Sequence, residues 1–226
     1  MRVVKEYDER RREIINTAQQ LFIEKGYNQT SINDIMVKVG IAKSNFYYYF
    51  TAKESLLDAL VDIHMEYHLE KWQVIIANPQ MDALEKLNSL FNISGNIKKE
   101  HRKLNMALLA AAYNDENIMI RHFLNKRTTD MAGKELGKII EQGVKEGVFT
   151  TPYPQEAMKA VFRICEGAVE EVKEYIINIE QHPENIDKIM EYYKMLEHFT
   201  ERLLGAKSGT IRFVERDVLV GMLQKG

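Results

Sequence analysis

Residues 30–53 read Thr-Ser-Ile-Asn-Asp-Ile-Met-Val-Lys-Val-Gly-Ile-Ala-Lys-Ser-Asn-Phe-Tyr-Tyr-Tyr-Phe-Thr-Ala-Lys, and this segment carries the most specific pattern in the chain. The spacing of its apolar residues predicts two short helices joined by a turn at Gly40. Ser31, followed three residues later by Asp34, gives the first helix a capping-box pattern. The second helix is polar at its start and aromatic at its end. Such a pair is typical of a helix-turn-helix whose second helix enters a DNA major groove.

The remaining sequence is also helical in pattern. Apolar residues three and four positions apart predict further helices over about residues 8–25, 52–77, 82–97, 103–113, 117–147, 154–179 and 183–204. We find no β-hairpin signature and no internal repeat, so we predict an all-α fold. The predicted organisation is a helix-turn-helix domain over residues 1–50, a larger ligand-binding and dimerisation bundle over 51–205, and a tail over 206–226. In the tail, Ile211, Val214, Val218 and Met222 could form one helical face, whereas Ile-Arg-Phe-Val could equally be a short strand.

Composition places the chain among ordinary globular proteins. Of its 226 residues, 45% are hydrophobic and 28% are charged. Cys165 is the only cysteine in the sequence, which excludes an intrachain disulfide and a thiolate metal cluster. No apolar run is long enough to span a bilayer and the N-terminus lacks a secretion signal, so we expect a cytoplasmic protein without a membrane partner.

Charge is divided unevenly along the chain. Residues 1–53 carry nine Lys or Arg against six Asp or Glu, whereas residues 54–226 carry 22 basic and 27 acidic residues. A basic N-terminal segment and an acidic remainder suit a protein that contacts phosphates through its N-terminal segment only.

From Thr30 to Leu57 the sequence resembles the DNA-binding head of the tetracycline-repressor (TetR) family. The resemblance rests on Thr-Ser-Ile-Asn-Asp-Ile, then Val-Gly-Ile-Ala-Lys-Ser-Asn-Phe-Tyr-Tyr-Tyr-Phe, then Ala-Lys-Glu-Ser-Leu-Leu, in the family's order and spacing. Phe22 and the run from Glu24 to Tyr27 are similar to the end of the family's first helix. The resemblance covers roughly residues 10–57. It implies a dimeric DNA-binding regulator that responds to a small molecule.

The first candidate DNA contacts lie at the starts of the two helices. Thr30 and Ser31 stand where hydroxyls and free backbone N–H groups suit a phosphate oxygen. Lys43, Ser44 and Asn45 stand at the end of the second helix that reaches base edges in this docking geometry. Lysine can donate to guanine, and asparagine can pair with adenine.

Three more candidates follow at the end of the second helix and just beyond it. Tyr47 and Tyr48 can donate to phosphates or pack on a thymine methyl, and Lys53 is placed for a phosphate; the resemblance implies similar roles for all three. Three successive tyrosines cannot all point inward, because neighbouring helical positions diverge by roughly 100°. Two positions depart from the usual family pattern. Ala42 stands where serine usually caps the helix, and Ser44 stands where glycine often allows close approach to the bases.

Two late helices predict a second subunit. From Met158 to Ile176 the polar residues form only one narrow stripe, so this helix is buried on two sides, and a partner copy suits the second side. We predict a two-fold, four-helix interface that suits a palindromic operator in double-stranded DNA. A thick monomeric core is the alternative. The predicted interface residues are Ile164, Gly167, Ala168, Val172, Ile189, Tyr193 and Leu196.

Aromatic, methionine and histidine side chains on the middle helices are candidates for a ligand pocket. Methionine adapts to irregular shapes, and the family implies an apolar pocket for a small inducer. For any single residue, plain core packing is the alternative. The predicted fourth helix joins Lys53 to the pocket and is the expected transmitter. The pocket candidates are His64, His68, Trp72, Phe91, Met106, Tyr113, Phe123 and Phe162.

The histidine pair raises a separate possibility. His64 and His68 are four residues apart and would share one helical face, a spacing that can bind zinc. Their face continues Leu57 and Val61, which favours a border of the core or pocket, and no third ligand is evident. We therefore predict no metal and no cofactor. No nucleophile–base pattern appears, so we predict no catalytic residue.

Three functions compete at this point. The leading hypothesis is a dimeric transcriptional repressor, not an enzyme, that is released from its operator by a small apolar or amphipathic ligand. The second keeps DNA binding but makes the body an architectural or protein-interaction module. The third is a helical enzyme or metal carrier that uses the histidine pair.

Overall fold

The computed structural model describes residues 2–113 and 118–224, with the backbone alone described at residues 2–5, 119–120, 123–124, 127–128 and 166. Within these residues the chain forms helices and no strand, which confirms the all-α prediction. The helices are α1 (Arg2–Lys25), α2 (Ile32–Val39), α3 (Lys43–Tyr49), α4 (Lys53–Ile76), α5 (Ala83–Glu100), α6 (Arg102–Ala112), α7 (Ile118–Glu146), α8 (Pro154–Ile177), α9 (Asn185–Leu204) and α10 (Arg216–Leu223). Every predicted helix is present. The main difference is α1, which begins well before residue 8.

Local sequence sets the ends of the two short helices. The Ser31 hydroxyl accepts from the backbone N–H of Asp34, and the Asp34 carboxylate accepts from the backbone N–H of Ser31, so the predicted capping box is present. Gly40 has φ +75°, which ends α2 in the left-handed region and turns the chain into α3. Ala42 occupies the N-cap of α3 without a side-chain hydrogen bond. The start of α3 is therefore held by its packing rather than by a cap.

One compact unit comprises the described parts of residues 1–65 and 103–124. In it α1 packs against α2. The apolar stripe of α1 is buried and comprises Ile14, Ile15, Ala18, Leu21 and Phe22. Phe46 and Phe50 are buried as well, so these two aromatic residues belong to the core. Burying a phenylalanine side chain contributes roughly 1.5–3 kcal/mol, so these rings fix α3 on the head. The unit also includes the first half of α4, so the predicted boundary near residue 50 falls inside it.

The other compact unit comprises residues 66–102 and the described part of 125–226. Helices α8 and α9 pack against each other, and α10 packs against α5 and α9. The tail therefore belongs to the bundle. Val218 of α10 lies against Gly95 of α5, where a Cβ on the glycine would stand 3.0 Å from a Val218 methyl carbon.

Before α10 the tail is irregular and forms no strand in the described chain. Its backbone groups bond to side chains instead of a neighbouring strand. Asn88 donates to the Thr210 carbonyl at 2.8 Å and accepts from the Arg212 N–H at 2.9 Å. The Glu201 carboxylate accepts from the N–H groups of Thr210 at 2.8 Å and Ile211 at 3.0 Å. The helical alternative for the tail is therefore correct only from Arg216 onward, and the strand alternative is wrong.

Candidate nucleic-acid interface

Helix α3 presents a polar face to solvent. Lys43, Ser44 and Asn45 are exposed in its first turn. Phe46 is fully buried and anchors the helix to the head. Side chains that read base edges must be reachable from solvent. The three polar positions meet that requirement.

The tyrosines at the end of α3 differ in exposure. The exposed fraction is 45% for Tyr47 and 70% for Tyr48, while Tyr49 is half-buried. This confirms that at least one of the three lies at the surface. The Lys43 ammonium lies 6.0 Å from the centroid of the Tyr47 ring. A cation and an exposed phenol thus share one face of a short helix.

Sequence reasoning missed an aromatic residue on α1. Tyr7 lies before the predicted start of the helix, and its ring contacts two tyrosines of α3. The ring centroids are 5.6 Å apart for Tyr7 and Tyr48 and 4.9 Å apart for Tyr7 and Tyr49. The sequence did hold a signal for this contact. Tyr7 lies one turn before Arg11 and two turns before Ile14, so it continues the helical spacing of the apolar stripe of α1.

Thr30 is not at the surface, contrary to its predicted place. Its side chain is 0% exposed, and its hydroxyl donates to the Gly26 carbonyl at 2.8 Å. Its backbone N–H donates to the Tyr27 carbonyl at 3.2 Å. Both donors of Thr30 therefore close the loop between α1 and α2. The predicted phosphate contact of Thr30 is corrected on this ground.

Ser31 is exposed, but Asp34 occupies its donors. The Ser31 hydroxyl donates to a carboxylate oxygen of Asp34 at 2.7 Å, and the Ser31 N–H donates to the same oxygen at 2.9 Å. These bonds, with that from Lys25, lower the pKa of Asp34 to about 2. Asp34 therefore stays negative at neutral pH beside the predicted phosphate. A contact from Ser31 to DNA requires this hydroxyl to change partner.

Lys53 at the start of α4 ties that helix to the α1–α2 loop. Its ammonium donates to the carbonyls of Tyr27 at 2.9 Å and Thr30 at 3.0 Å, and it lies 4.2 Å from the centroid of the Tyr27 ring. Burial lowers the pKa of Lys53, and Glu54 partly offsets that effect. An ammonium group has three N–H donors, so these two bonds leave one for a phosphate oxygen. Lys53 is therefore a structural tie, and its phosphate contact stays a prediction that this geometry allows.

Replacing Lys53 with methionine is expected to lower the free energy of unfolding by about 1–2 kcal/mol. Two charge-assisted hydrogen bonds and a cation–π contact are lost, while the aliphatic stem is kept. Lys38→Met is the matched control, because the Lys38 ammonium makes an exposed ion pair with Glu24 at 3.1 Å. Such pairs contribute little. Urea denaturation followed by circular dichroism compares the two variants, and equal losses would contradict a special role for Lys53.

Comparison with known proteins decides the assignment of this head. Residues 14–60 match the sequence profile of the bacterial regulatory proteins of the tetR family. The chain is a tetR-family regulator. The matched region includes α2, α3 and the start of α4. The predicted family is therefore confirmed, and the protein is a DNA-binding transcriptional regulator rather than an enzyme.

Longer relatives support the same assignment for this tetR-family regulator. The HTH-type transcriptional repressor KstR2 of Rhodococcus jostii is 28% identical over 149 residues, which cover 62% of this chain and 68% of that protein. KstR2 of Mycobacterium tuberculosis is 26% identical over 155 residues, which cover 66% and 73%. Both relatives extend well beyond the matched head into the helical body.

Solved structures share the helical fold over most of the chain. A putative TetR-family transcriptional regulator from Syntrophomonas wolfei matches with a TM-score of 0.63 at 23% identity, over 84% of this chain and 95% of that one. SmeT, the repressor of the Stenotrophomonas maltophilia multidrug efflux pump SmeDEF, matches with a TM-score of 0.63 at 16% identity, over 91% and 96%. At these identities the similarity concerns the fold alone.

In this tetR-family regulator the ligand candidates divide between the two compact units. Trp72 is buried and its indole N–H donates to Ser94 at 3.0 Å, while the buried His68 ring lies edge-on to Trp72 with the centroids 6.1 Å apart. Phe91 is half-buried, with its ring centroid 4.4 Å from that of Phe213 in the tail. Phe162 is half-buried in the same unit as these residues.

The remaining ligand candidates belong to the unit that contains the head. His64, Met106 and Tyr113 are all half-buried there, and the Arg121 guanidinium lies 5.3 Å from the centroid of the Tyr113 ring. The side chain of Phe123 lies outside the described residues. The described residues include no group of three or more His, Cys, Asp or Glu side chains that could hold a metal ion.

The predicted interface residues of the regulator separate into surface and core. Ile164 and Gly167 are exposed on α8, and Tyr193 is half-buried on α9. The other four are buried within the single chain, so their predicted place on the surface of a subunit is corrected. Those four are Ala168, Val172, Ile189 and Leu196.

The regulator also exposes apolar residues that the sequence analysis did not select. Met195, Phe199 and Leu203 are exposed along one face of α9. Ile164 and Gly167 are exposed on α8, which packs against α9, so exposed residues lie on both helices of this pair. These five residues are called the α8–α9 patch below.

None of the described helices is both long enough and apolar enough to cross a membrane.

Proposed function

We propose that this regulator is a dimeric repressor that binds a palindromic operator in double-stranded DNA and leaves it when a small apolar or amphipathic ligand binds. Residues 1–50 act as the DNA-binding domain, and residues 51–205 bind the ligand and form the dimer. The protein works in the cytoplasm, where bacterial DNA is found. The observation that carries the proposal is the conjunction of an exposed reading helix, α3, with an exposed apolar patch on α8 and α9.

The α8–α9 patch supports the dimer. Exposed large apolar residues are common singly, but a group of them on two adjacent helices supports an interaction surface. Gly167 stands within the patch, and a Cβ there would meet no atom within 4 Å, so a partner backbone can approach closely. A two-fold arrangement of α8 and α9 would bury the patch against its own copy and produce the four-helix interface.

Two aromatic pairs in the body support a ligand site and are together called the aromatic cluster: His68 with Trp72, and Phe91 with Phe213. His68 and Trp72 lie on α4, Phe91 lies on α5, and each contacts another ring. Small-molecule sites are lined mainly by such apolar and aromatic side chains, with a few polar groups for orientation. We propose that a ligand at this cluster favours an α4 position that differs from the DNA-bound one. Because α4 runs without a break from Lys53 to Ile76, it connects the cluster to the loop that Lys53 holds.

A selected operator tests the proposal directly. The wild-type protein is used to select duplexes from a random-sequence pool, and binding is then measured by fluorescence anisotropy over a range of salt concentrations. We expect a palindromic consensus and an affinity that falls steeply with salt, because phosphate contacts release counterions. A chain-length series of saturated fatty acids then serves as the amphipathic probe, with the matching alcohols as controls for the carboxylate.

The expected outcome is release of the operator by at least one chain length at concentrations that leave the protein folded. Failure to select any sequence would overturn the proposal that α3 reads DNA. A palindromic operator with no release by any apolar or amphipathic probe would instead support the architectural alternative.

A further inference from the structure

Three tyrosine rings close a triangle at the exposed end of α3. The centroid distances are 5.6 Å for Tyr7 and Tyr48, 4.9 Å for Tyr7 and Tyr49, and 5.0 Å for Tyr48 and Tyr49. The rings of Tyr7 and Tyr48 meet edge to face at 82°, and those of Tyr48 and Tyr49 at 83°. Edge-to-face contacts at these distances are the favoured geometry of aromatic pairs. Two of the rings belong to α3, and the third comes from α1.

We propose that Tyr7 is a positioning residue for DNA reading, because its ring holds the side chain of Tyr48 in the orientation that meets the duplex. The proposal rests on the proposed contact between Tyr48 and DNA. It adds a role for a residue outside the helix-turn-helix, on an α1 turn that precedes the region matched to the family.

Exposure explains why Tyr48 needs such support. With 70% of its side chain exposed, Tyr48 has few neighbours to limit its rotation, and an exposed side chain changes rotamer in picoseconds to nanoseconds. A side chain that is already held in its bound rotamer loses less entropy when the complex forms. The contacts from Tyr7 and Tyr49 supply that restraint before DNA arrives.

Helix α1 can provide the restraint because it is fixed to the head. It is one continuous helix from Arg2 to Lys25, and Ile14, Ile15 and Ala18 are buried in the core. The guanidinium of Arg11 lies 5.3 Å from the centroid of the Phe50 ring, one turn along α1 from Tyr7. Phe50 itself caps the end of α3. Tyr7 therefore stands on an element whose position relative to α3 is set by several contacts.

The proposal assigns the effect to the ring and not to the hydroxyl. Tyr7→Phe keeps the ring and removes only the hydroxyl, so it should bind the operator within about twofold of wild type. Tyr7→Ala removes the ring, and we expect about three- to tenfold weaker binding. Tyr153→Ala is the control, because Tyr153 is a tyrosine outside the head, exposed at the start of α8. It should leave operator affinity unchanged.

A double-variant cycle separates positioning from a general loss of stability. Tyr48→Ala removes the side chain that Tyr7 is proposed to position, and the Tyr7→Ala change should then have almost no further effect on operator affinity. The probe is the duplex that the wild-type protein selects, and anisotropy gives the dissociation constants. Independent, multiplying losses in the double variant would overturn the proposal.

The outcomes also distinguish this proposal from the function on which it rests. Wild-type affinity in Tyr48→Ala would overturn the DNA contact of Tyr48 and with it the role of Tyr7. Weak binding in Tyr48→Ala together with full binding in Tyr7→Ala would overturn the role of Tyr7 alone. Equal losses in Tyr7→Phe and Tyr7→Ala would also overturn it, because the hydroxyl would then carry the effect.

A measurement without DNA covers the case in which Tyr7→Ala folds poorly. The variant Tyr7→Leu keeps helix propensity and an apolar contact but removes the ring. With 3-fluorotyrosine placed at position 48, we expect the fluorine resonance of Tyr7→Leu to narrow and to shift toward that of free fluorotyrosine. The same resonance in Tyr7→Phe should match wild type. An unchanged resonance in Tyr7→Leu would overturn the proposal.

Discussion

A glutamate in place of Phe199 is expected to break the proposed dimer into monomers and to weaken operator binding by about a hundredfold or more. Phe199 is 45% exposed in a single subunit, so the new carboxylate stays in water and the monomer keeps its fold. In the proposed dimer the partner covers this position, and a buried unpaired carboxylate is strongly destabilising. Each head then binds one half-site alone, and the gain from linking two heads is lost.

Val74→Glu provides the control for this variant. Val74 is 75% exposed, but it lies on α4 and not on the α8–α9 patch. Sedimentation equilibrium gives the oligomeric state, and anisotropy with the selected operator gives the affinity. We expect Val74→Glu to remain dimeric with wild-type affinity. A dimeric Phe199→Glu protein that binds the operator normally would contradict the proposed interface.

Replacing Glu201 with alanine is expected to lower the free energy of unfolding by about 3 kcal/mol. Glu201 is 4% exposed, and its carboxylate accepts from the backbone N–H groups of Thr210 and Ile211. Removing the carboxylate leaves two backbone donors without this acceptor, and the bond that Ile211 donates is buried. Hydrogen exchange should therefore become faster across residues 206–223. Denaturation by urea measures the loss of stability.

Two further variants serve as controls for the Glu201→Ala result. Glu201→Gln keeps an oxygen acceptor and should cost only about 1 kcal/mol, as expected for exchanging a charged acceptor for a neutral one. Glu191→Ala removes an exposed carboxylate from the same helix and should change stability by less than about 0.5 kcal/mol. A loss in Glu201→Ala no larger than that in Glu191→Ala would contradict the proposed hold on the tail.

The pH dependence of Glu201 has a definite sign. Burial raises the pKa of this carboxyl, but the N–H groups of Ile211, Gly209 and Thr210 lower it, and the net pKa lies below the ordinary value of 4.5. The folded state therefore binds the proton less tightly than the unfolded state. Its stabilisation is complete above pH 4.5 and is lost as the pH falls through the lower folded pKa. The stability difference between wild type and Glu201→Gln should shrink over that acid range.

Helix positions could be predicted because their causes are local. The capping box of Ser31 and Asp34, the left-handed turn at Gly40 and the apolar spacing on either side all act within a few residues. The α3 tyrosines follow the same logic, since a helix cannot bury three successive side chains on one side. Near neighbours along the chain are therefore enough to define the head motif.

Partners distant in sequence could not be predicted. Thr30 was expected at a phosphate because it precedes a helix, yet its hydroxyl donates back to Gly26 in the folded loop. Periodicity indicated that α8 is buried on two sides, but it could not show that Ala168 and Val172 are already buried within the single chain. The hydrogen bond from Asn88 to the Thr210 carbonyl joins residues 122 positions apart, so no local sequence pattern could predict it.

By itself, the order of residues determined an all-helical chain with a basic, tyrosine-tipped reading motif, because caps, turns and helical periodicity depend on near neighbours. Only the tertiary structure decided which hydroxyls are used internally, where the tail is held and which apolar residues stay at the surface. Those outcomes depend on hydrogen-bond donors and apolar faces that meet only after the chain has folded.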